Sequence, residues 1–163
     1  DSAIFGKPHG TEYDSSSTSD STVGNTDGCT TYYEHETGNN QIKAGTSTAI
    51  TANIQSGDFD IAQTQGGGAD LRGDGENIMK IRRILPDFLT QTGATRVTLN
   101  LKNYPTDSEA SSSLGPFDVT SSTTKVDTRA RARAIALKIS NTGLAQHWKV
   151  GTFRLDIQPD GRR

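Results

Sequence analysis

From Thr46 onward, apolar and polar positions alternate with a period of two, the spacing of a strand that buries one face. Ile50, Ala52 and Ile54 alternate with Ala49, Thr51 and Asn53, which predicts a half-buried strand broken at Ser56-Gly57-Asp58. Ile78 to Leu85 predicts a second strand, stopped or confined to an edge by Pro86. Within it the adjacent Arg82 and Arg83 break the alternation and mark a bulge. Val97, Leu99 and Leu101 against Arg96, Thr98, Asn100 and Lys102 form the cleanest strand pattern in the chain. Tyr104-Pro105 ends it, a Ser-rich loop is expected over 106–116, and Phe117 and Val119 suit a short strand. Phe153, Leu155 and Ile157 alternate with Arg154, Asp156 and Gln158 up to Pro159-Asp160-Gly161, which is expected to terminate that strand.

Arg129 to Ser140 pits two tendencies against each other. Alanine favours helix, whereas the strict alternation favours strand, and the Thr/Ser-rich surroundings are β throughout. Read as one strand, Arg129, Arg131 and Arg133 share a face with Ile135, Leu137 and Ile139. The arginines then project beyond the rim of the core. About six strands and no convincing helix predict an all-β fold, an antiparallel β-sandwich or jelly-roll-like domain. Its expected core is Val97, Leu99, Leu101, Ile135, Leu137, Ile139, Phe153, Leu155 and Ile157. Trp148, the only tryptophan, is expected to be mostly buried at one end beside Phe153, in a turn over Gly143 to Gly151.

Composition adds an N-terminal arm. Residues 1–45 are rich in Ser, Thr, Gly and Asn and poor in aliphatics, apart from strand-like Thr30-Thr31-Tyr32-Tyr33 before a turn at Gly38-Asn39-Asn40. They read as an arm or as the end of a preceding β domain, with the sandwich over 46–163. So few apolar groups cannot offset chain entropy, so the arm is expected to order against other copies or another protein of the same assembly. The only methionine is Met79, which suits a processed chain or part of a longer one. No apolar run approaches the 18 or so residues of a spanning helix, and no membrane partner is expected.

Charge is split between the halves. Residues 1–77 hold 12 acidic and 3 basic side chains, a balance of −9, and residues 78–163 hold 7 and 14, a balance of +7. Halves of opposite sign attract, within a molecule or between copies.

Catalytic signals are sparse. His9, His35 and His147 lack a metal partner three or four residues away, and Cys29 is the single cysteine, which excludes an intrachain disulfide. Glu34-His35-Glu36 offers a metal patch but reads better as an exposed charged turn. Asp58 and Asp60 have the spacing of paired glycosidase carboxylates but no aromatic platform nearby. The glycine-rich stretch Gln65 to Gly75 reads as a loop, and its clusters lack the Lys-Ser/Thr of a phosphate-binding loop. No catalytic residue, cofactor or metal is assigned, and the chain is read as a non-enzyme.

The constellation with chemistry is basic: Arg129, Arg131 and Arg133, with Arg162 and Arg163 as a tail. Same-face side chains on a strand recur about every 6.6–7 Å, comparable to phosphates along a DNA strand, whose contacts carry no sequence information. The same row suits carboxylates of a neighbouring copy's acidic half, the reading favoured here because acidic residues balance the chain.

Several segments in order resemble a known family: YEHETG from Tyr33, IQSGDFDI from Ile54, GDGEN from Gly73 followed by IRRILPDF from Ile81, VTLNLKNYP from Val97, GPFDV from Gly115 and VDTRARAR from Val126. HWKVGTFRLDIQPDGRR closes the chain. Together they resemble the C-terminal region of podovirus-type phage tail proteins of the nozzle, or tubular, class. The resemblance implies a structural virion protein of a short tail. Such subunits form rings, usually hexameric, that extend the DNA channel, touch other tail proteins, retain the packaged genome and release double-stranded DNA on infection. The alternative is a receptor- or carbohydrate-binding β-sandwich at a virion tip, for which Trp148 and Tyr104 are the aromatic candidates.

Overall fold

A computed structural model describes residues 6–13, 30–35, 38–43, 46–63, 69–70, 76–104, 106–108, 112–141 and 143–162. The chain divides into two compact units, Asp1–Gly38 and Asn39–Arg163. In the first, β1 (His9–Tyr13) and β2 (Thr30–Glu34) pair antiparallel, His9 opposite Glu34. Much of the expected arm, including 14–29, lies outside the described residues.

The second unit contains β3 (Asn40–Lys43), β4 (Thr46–Ala49), β5 (Ala52–Gln55), β6 (Ala62–Gln63), β7 (Ala69–Asp70), β8 (Asn77–Leu85) and β9 (Phe88–Thr92). It continues with β10 (Thr95–Lys102), β11 (Ser113–Val119), β12 (Val126–Ala132), β13 (Ala134–Asn141), β14 (His147–Val150) and β15 (Arg154–Arg162). The fold is all-β, sandwich-like and antiparallel throughout, without a helix among the described residues. A four-stranded sheet runs β11-β10-β13-β5 and a three-stranded sheet runs β12-β8-β15. Three two-stranded pieces, β14-β9, β3-β4 and β6-β7, accompany them.

One core joins the two larger sheets. Met79, Ile81, Ile84, Ala130 and Ala132 come from the three-stranded sheet, and Val97, Leu99, Val119 and Ile135 from the four-stranded one. Of the expected core, Val97, Leu99, Ile135 and Ile139 are buried, while Leu101, Leu137, Phe153, Leu155 and Ile157 are partly buried against it. The large aliphatics of β8 fill the space that the alanines of β12 leave.

Several expectations need correction. Arg129 to Ser140 is two strands in different sheets, β12 and β13, with a bend at Arg133. The inward phase flips there: Thr128, Ala130 and Ala132 face in, and then Ile135 and Ile139 do. Arg129 and Arg131 therefore do not share the inner face with Ile135 and Ile139. The strand expected around Ile50 to Ile54 is broken into β4 and β5, and Ile54 is 53% exposed because β5 is the uncovered edge of the wider sheet. β11 begins at Ser113 and takes in the cis peptide Gly115-Pro116, which was expected to close the loop. Pro159-Asp160-Gly161 does not end β15. The strand runs to Arg162 across a register shift, which an edge strand tolerates because a missing amide hydrogen breaks no central ladder.

Trp148 lies on a strand and not in a turn. It is half-buried, and its indole nitrogen donates to Asn141 Oδ1 at 2.9 Å. Phe153 meets Phe88 instead, edge to face at 5.3 Å. Asn141, buried on β13, also accepts from the Ala52 amide at 3.2 Å and donates to the Ile50 carbonyl at 3.1 Å. It therefore pins the edge strand and the indole together. Gly151 sits against Asp87, where an added Cβ would lie 2.8 Å from the carboxylate. Its amide donates to the Asp87 carbonyl at 2.8 Å, and the Thr152 amide to the Asp87 carboxylate at 3.0 Å.

Three substitutions gauge this packing by urea denaturation. Ile81→Ala, at a fully buried central position, is expected to cost about 2–5 kcal/mol, and Ile54→Ala to stay within about 0.5 kcal/mol. Asn141→Ala strands the polar groups it serves and is expected to cost about 1–3 kcal/mol.

Candidate functional site

The outer face of the three-stranded sheet gathers the basic side chains. Residues of β12 alternate, with Asp127, Arg129 and Arg131 outward and Thr128, Ala130 and Ala132 inward. The central strand β8 adds Lys80, Arg82 and Arg83, and β15 adds Asp156 and Gln158; together with Asp127, Thr128 and Arg129 they line a groove of about 650 Å³.

The expected bulge at Arg82-Arg83 is present and organises this face. Against β15, Arg83 pairs with Asp156 and Ile81 with Ile157, leaving Arg82 as the extra residue. Against β12, Arg83 pairs with Asp127 and Ile81 with Ala130, so Thr128 and Arg129 together face Arg82. The Thr128 hydroxyl donates to the Ile81 carbonyl at 2.8 Å, satisfying a buried acceptor where the ladder is irregular. Exposed Arg82 and exposed Arg129 are thus set side by side.

Charge is arranged unevenly across the sheet. One cross-strand row reads Asp127, Arg83, Asp156, alternating in sign. Arg83 Nε donates to Asp127 Oδ1 at 2.9 Å, and Lys125 Nζ lies 3.2 Å from Asp127 Oδ2. Hydrogen bonds from Arg83 first and Lys125 second hold the Asp127 carboxyl below the usual carboxylate range. The next paired row reads Arg131, Lys80, Gln158, with two like charges directly opposite, an arrangement that destabilises a sheet. Among the described residues no carboxylate pairs with Lys80, Arg82 or Arg129.

The anticipated basic residues therefore part company. Arg129 is exposed on the groove. Arg131 shares its face, but its guanidinium is ion-paired with Asp160. Arg133 turns away at the bend, where it donates to the Glu76 carbonyl at 3.1 Å. Arg162 ends β15, its side chain outside the described residues, as is all of Arg163. Sequence reasoning missed Lys80, Arg82 and Arg83 as members of this face. The bulge signal at Arg82-Arg83 could have found the two arginines, and the alternation of Lys80 with buried Met79 and Ile81 the lysine.

Other candidates have local roles. Asp58 accepts an ion pair from Lys102 at 2.7 Å. Tyr104 is 67% exposed at the end of β10, whereas the indole N–H of Trp148 is taken up by Asn141. Among the described residues no three His, Cys, Asp or Glu side chains converge as a metal site. Glu36 of the Glu-His-Glu patch and the glycine clusters at 66–68 and 73–75 lie outside the described residues. Comparison of the chain with protein-family models, with curated proteins and with solved structures finds no match.

Two measurements test this geometry. A depressed folded-state value means that the Asp127 contacts stabilise the fold above the unfolded Asp value of about 3.9, and lose that contribution as pH falls. The stability difference between wild type and Asp127→Asn should be flat from about pH 5 to 8 and close below about pH 4. Thr128→Val keeps the shape but removes the hydrogen bond to the Ile81 carbonyl, and is expected to cost about 1–2 kcal/mol in urea denaturation.

Proposed function

We propose that this chain is a non-enzymatic structural subunit of a short phage tail, of the nozzle type, which assembles into a closed ring in the virion and extends the channel for packaged DNA. The observation that carries the reading is where three of the family-like segments fall. IRRIL, VDTRARAR and FRLDIQPDGR are far apart in sequence, yet they supply β8, β12 and β15, the three neighbouring strands of one sheet. The PDF of the first segment, through Asp87, is hydrogen-bonded to the Gly151-Thr152 of the last. These three segments thus make up one sheet and its basic outer face, while VTLNLKNYP and GPFDV supply β10 and β11 of the other sheet. The split of charge between acidic and basic halves supplies attraction between copies, and a head-to-tail contact of that kind closes into a ring or grows into a filament.

Native mass spectrometry of the chain at low and high salt tests assembly. The expected result is one closed oligomer, weakened as salt screens its charged contacts. A monomer at high concentration and low salt would count against the ring.

A further inference from the structure

We propose that the outer face of the β12-β8-β15 sheet binds the sugar-phosphate backbone of duplex nucleic acid, with Lys80, Arg82 and Arg129 meeting phosphates. The proposal stands on this face alone and does not require the tail assignment.

The first ground is electrostatic. Lys80 lies opposite Arg131, and Arg82 lies beside Arg129 across the bulge, so like charges adjoin in two successive positions of one strand pair. A sheet gains nothing from that arrangement. The neighbouring row shows the stabilising alternative, since Arg83 stands between Asp127 and Asp156. Arg131 relieves part of the repulsion through Asp160. The charges of Lys80, Arg82 and Arg129 remain uncompensated among the described residues, as expected of positions that carry function at a cost in stability.

The second ground is the chemistry of the groove. Its eight lining residues include no apolar side chain. A protein partner would be held by an apolar centre from which charged residues are depleted, whereas nucleic-acid interfaces are more polar and strongly cationic. Cations on adjacent strands lie about 4.8 Å apart and recur every ~7 Å along a strand, which suits repeated phosphates. The aspartates to one side, Asp127 and Asp156, confine an anion to the Lys80 end. Such contacts carry no sequence information, and nothing here reads base edges.

The test uses the full chain and two fluorescent DNA duplexes of unrelated sequence, followed by anisotropy between about 50 and 200 mM salt. Both duplexes should bind alike. Three phosphate contacts predict a slope of log affinity against log salt near −2.7, at about −0.9 for each contact. Arg82→Ala and Arg129→Ala should each reduce the slope by about one contact. Arg129→Glu should abolish binding while its melting temperature equals or exceeds that of the wild type, because it replaces a repulsion with an attraction. The proposal is overturned if the duplexes do not bind, if either alanine variant binds like wild type, or if polyglutamate binds and DNA does not. It is also overturned if Arg129→Glu lowers the melting temperature, since Arg129 would then be holding the fold. Duplex binding by a chain that stays monomeric would support this inference and reject only the ring.

Discussion

The molecule turns on the bend at Arg133, where one run of chain leaves one sheet and enters the other. Arg133 forms hydrogen bonds to either side of it. The Arg133 amide donates to the Lys102 carbonyl at 3.1 Å, at the end of β10, and its guanidinium donates to the Glu76 carbonyl at 3.1 Å, just before β8. The corner is thereby tied to both sheets. It also resets which side chains point inward, from the even positions of β12 to Ile135 and Ile139 on β13. Without that reset, either the alanines of β12 or the isoleucines of β13 would be carried out of the core.

The alanines follow from the same constraint. Alanine is a poor strand former by propensity, yet Ala130 and Ala132 are buried opposite Ile81 and Met79 of β8. Small residues on an outer strand and large ones on the central strand fill the layer without overpacking. The outward positions between them can then be given entirely to charge. The same strand pair carries the bulge at Arg82 and the Thr128 hydroxyl that closes it. Core packing, bulge and basic face are consequences of one local geometry, and a change to Thr128 reaches all three.

Strands whose alternation is long and aliphatic were legible in the sequence. β8, β10 and β15 were read from Ile81, Ile84, Val97, Leu99, Leu155 and Ile157, and the bulge from its paired arginines. The short strands β3, β4, β6 and β7 were not read because Ser, Thr, Gln and Ala leave little apolar period to see, and β9 and β14 because four or five residues are too few for Phe88 and Leu89, or Trp148 and Val150, to establish one. The bend at Arg133 was missed for a sharper reason. Alternation of Arg with Ala continues visually into Ile135, and a one-residue phase change is invisible when both registers place an apolar residue at every second position. The Phe88–Phe153 contact was missed because a single tryptophan carries no information about which ring lies across the sheet. Of the candidate site, Arg129 and Arg131 were legible as a pair. Lys80, Arg82 and Arg83 come from a strand some fifty residues earlier, and only the fold places them beside Arg129.

The phase reset at Arg133 is the claim on which core and basic face both depend, and thiol accessibility tests it most directly. Single cysteines placed at 129, 130, 131, 132, 135 and 139 in a Cys29→Ser background can be compared by their rates of labelling in the folded protein. The account predicts fast labelling at 129 and 131 and protection at 130, 132, 135 and 139. Labelling that keeps one unbroken odd–even phase from 129 to 139 would contradict it.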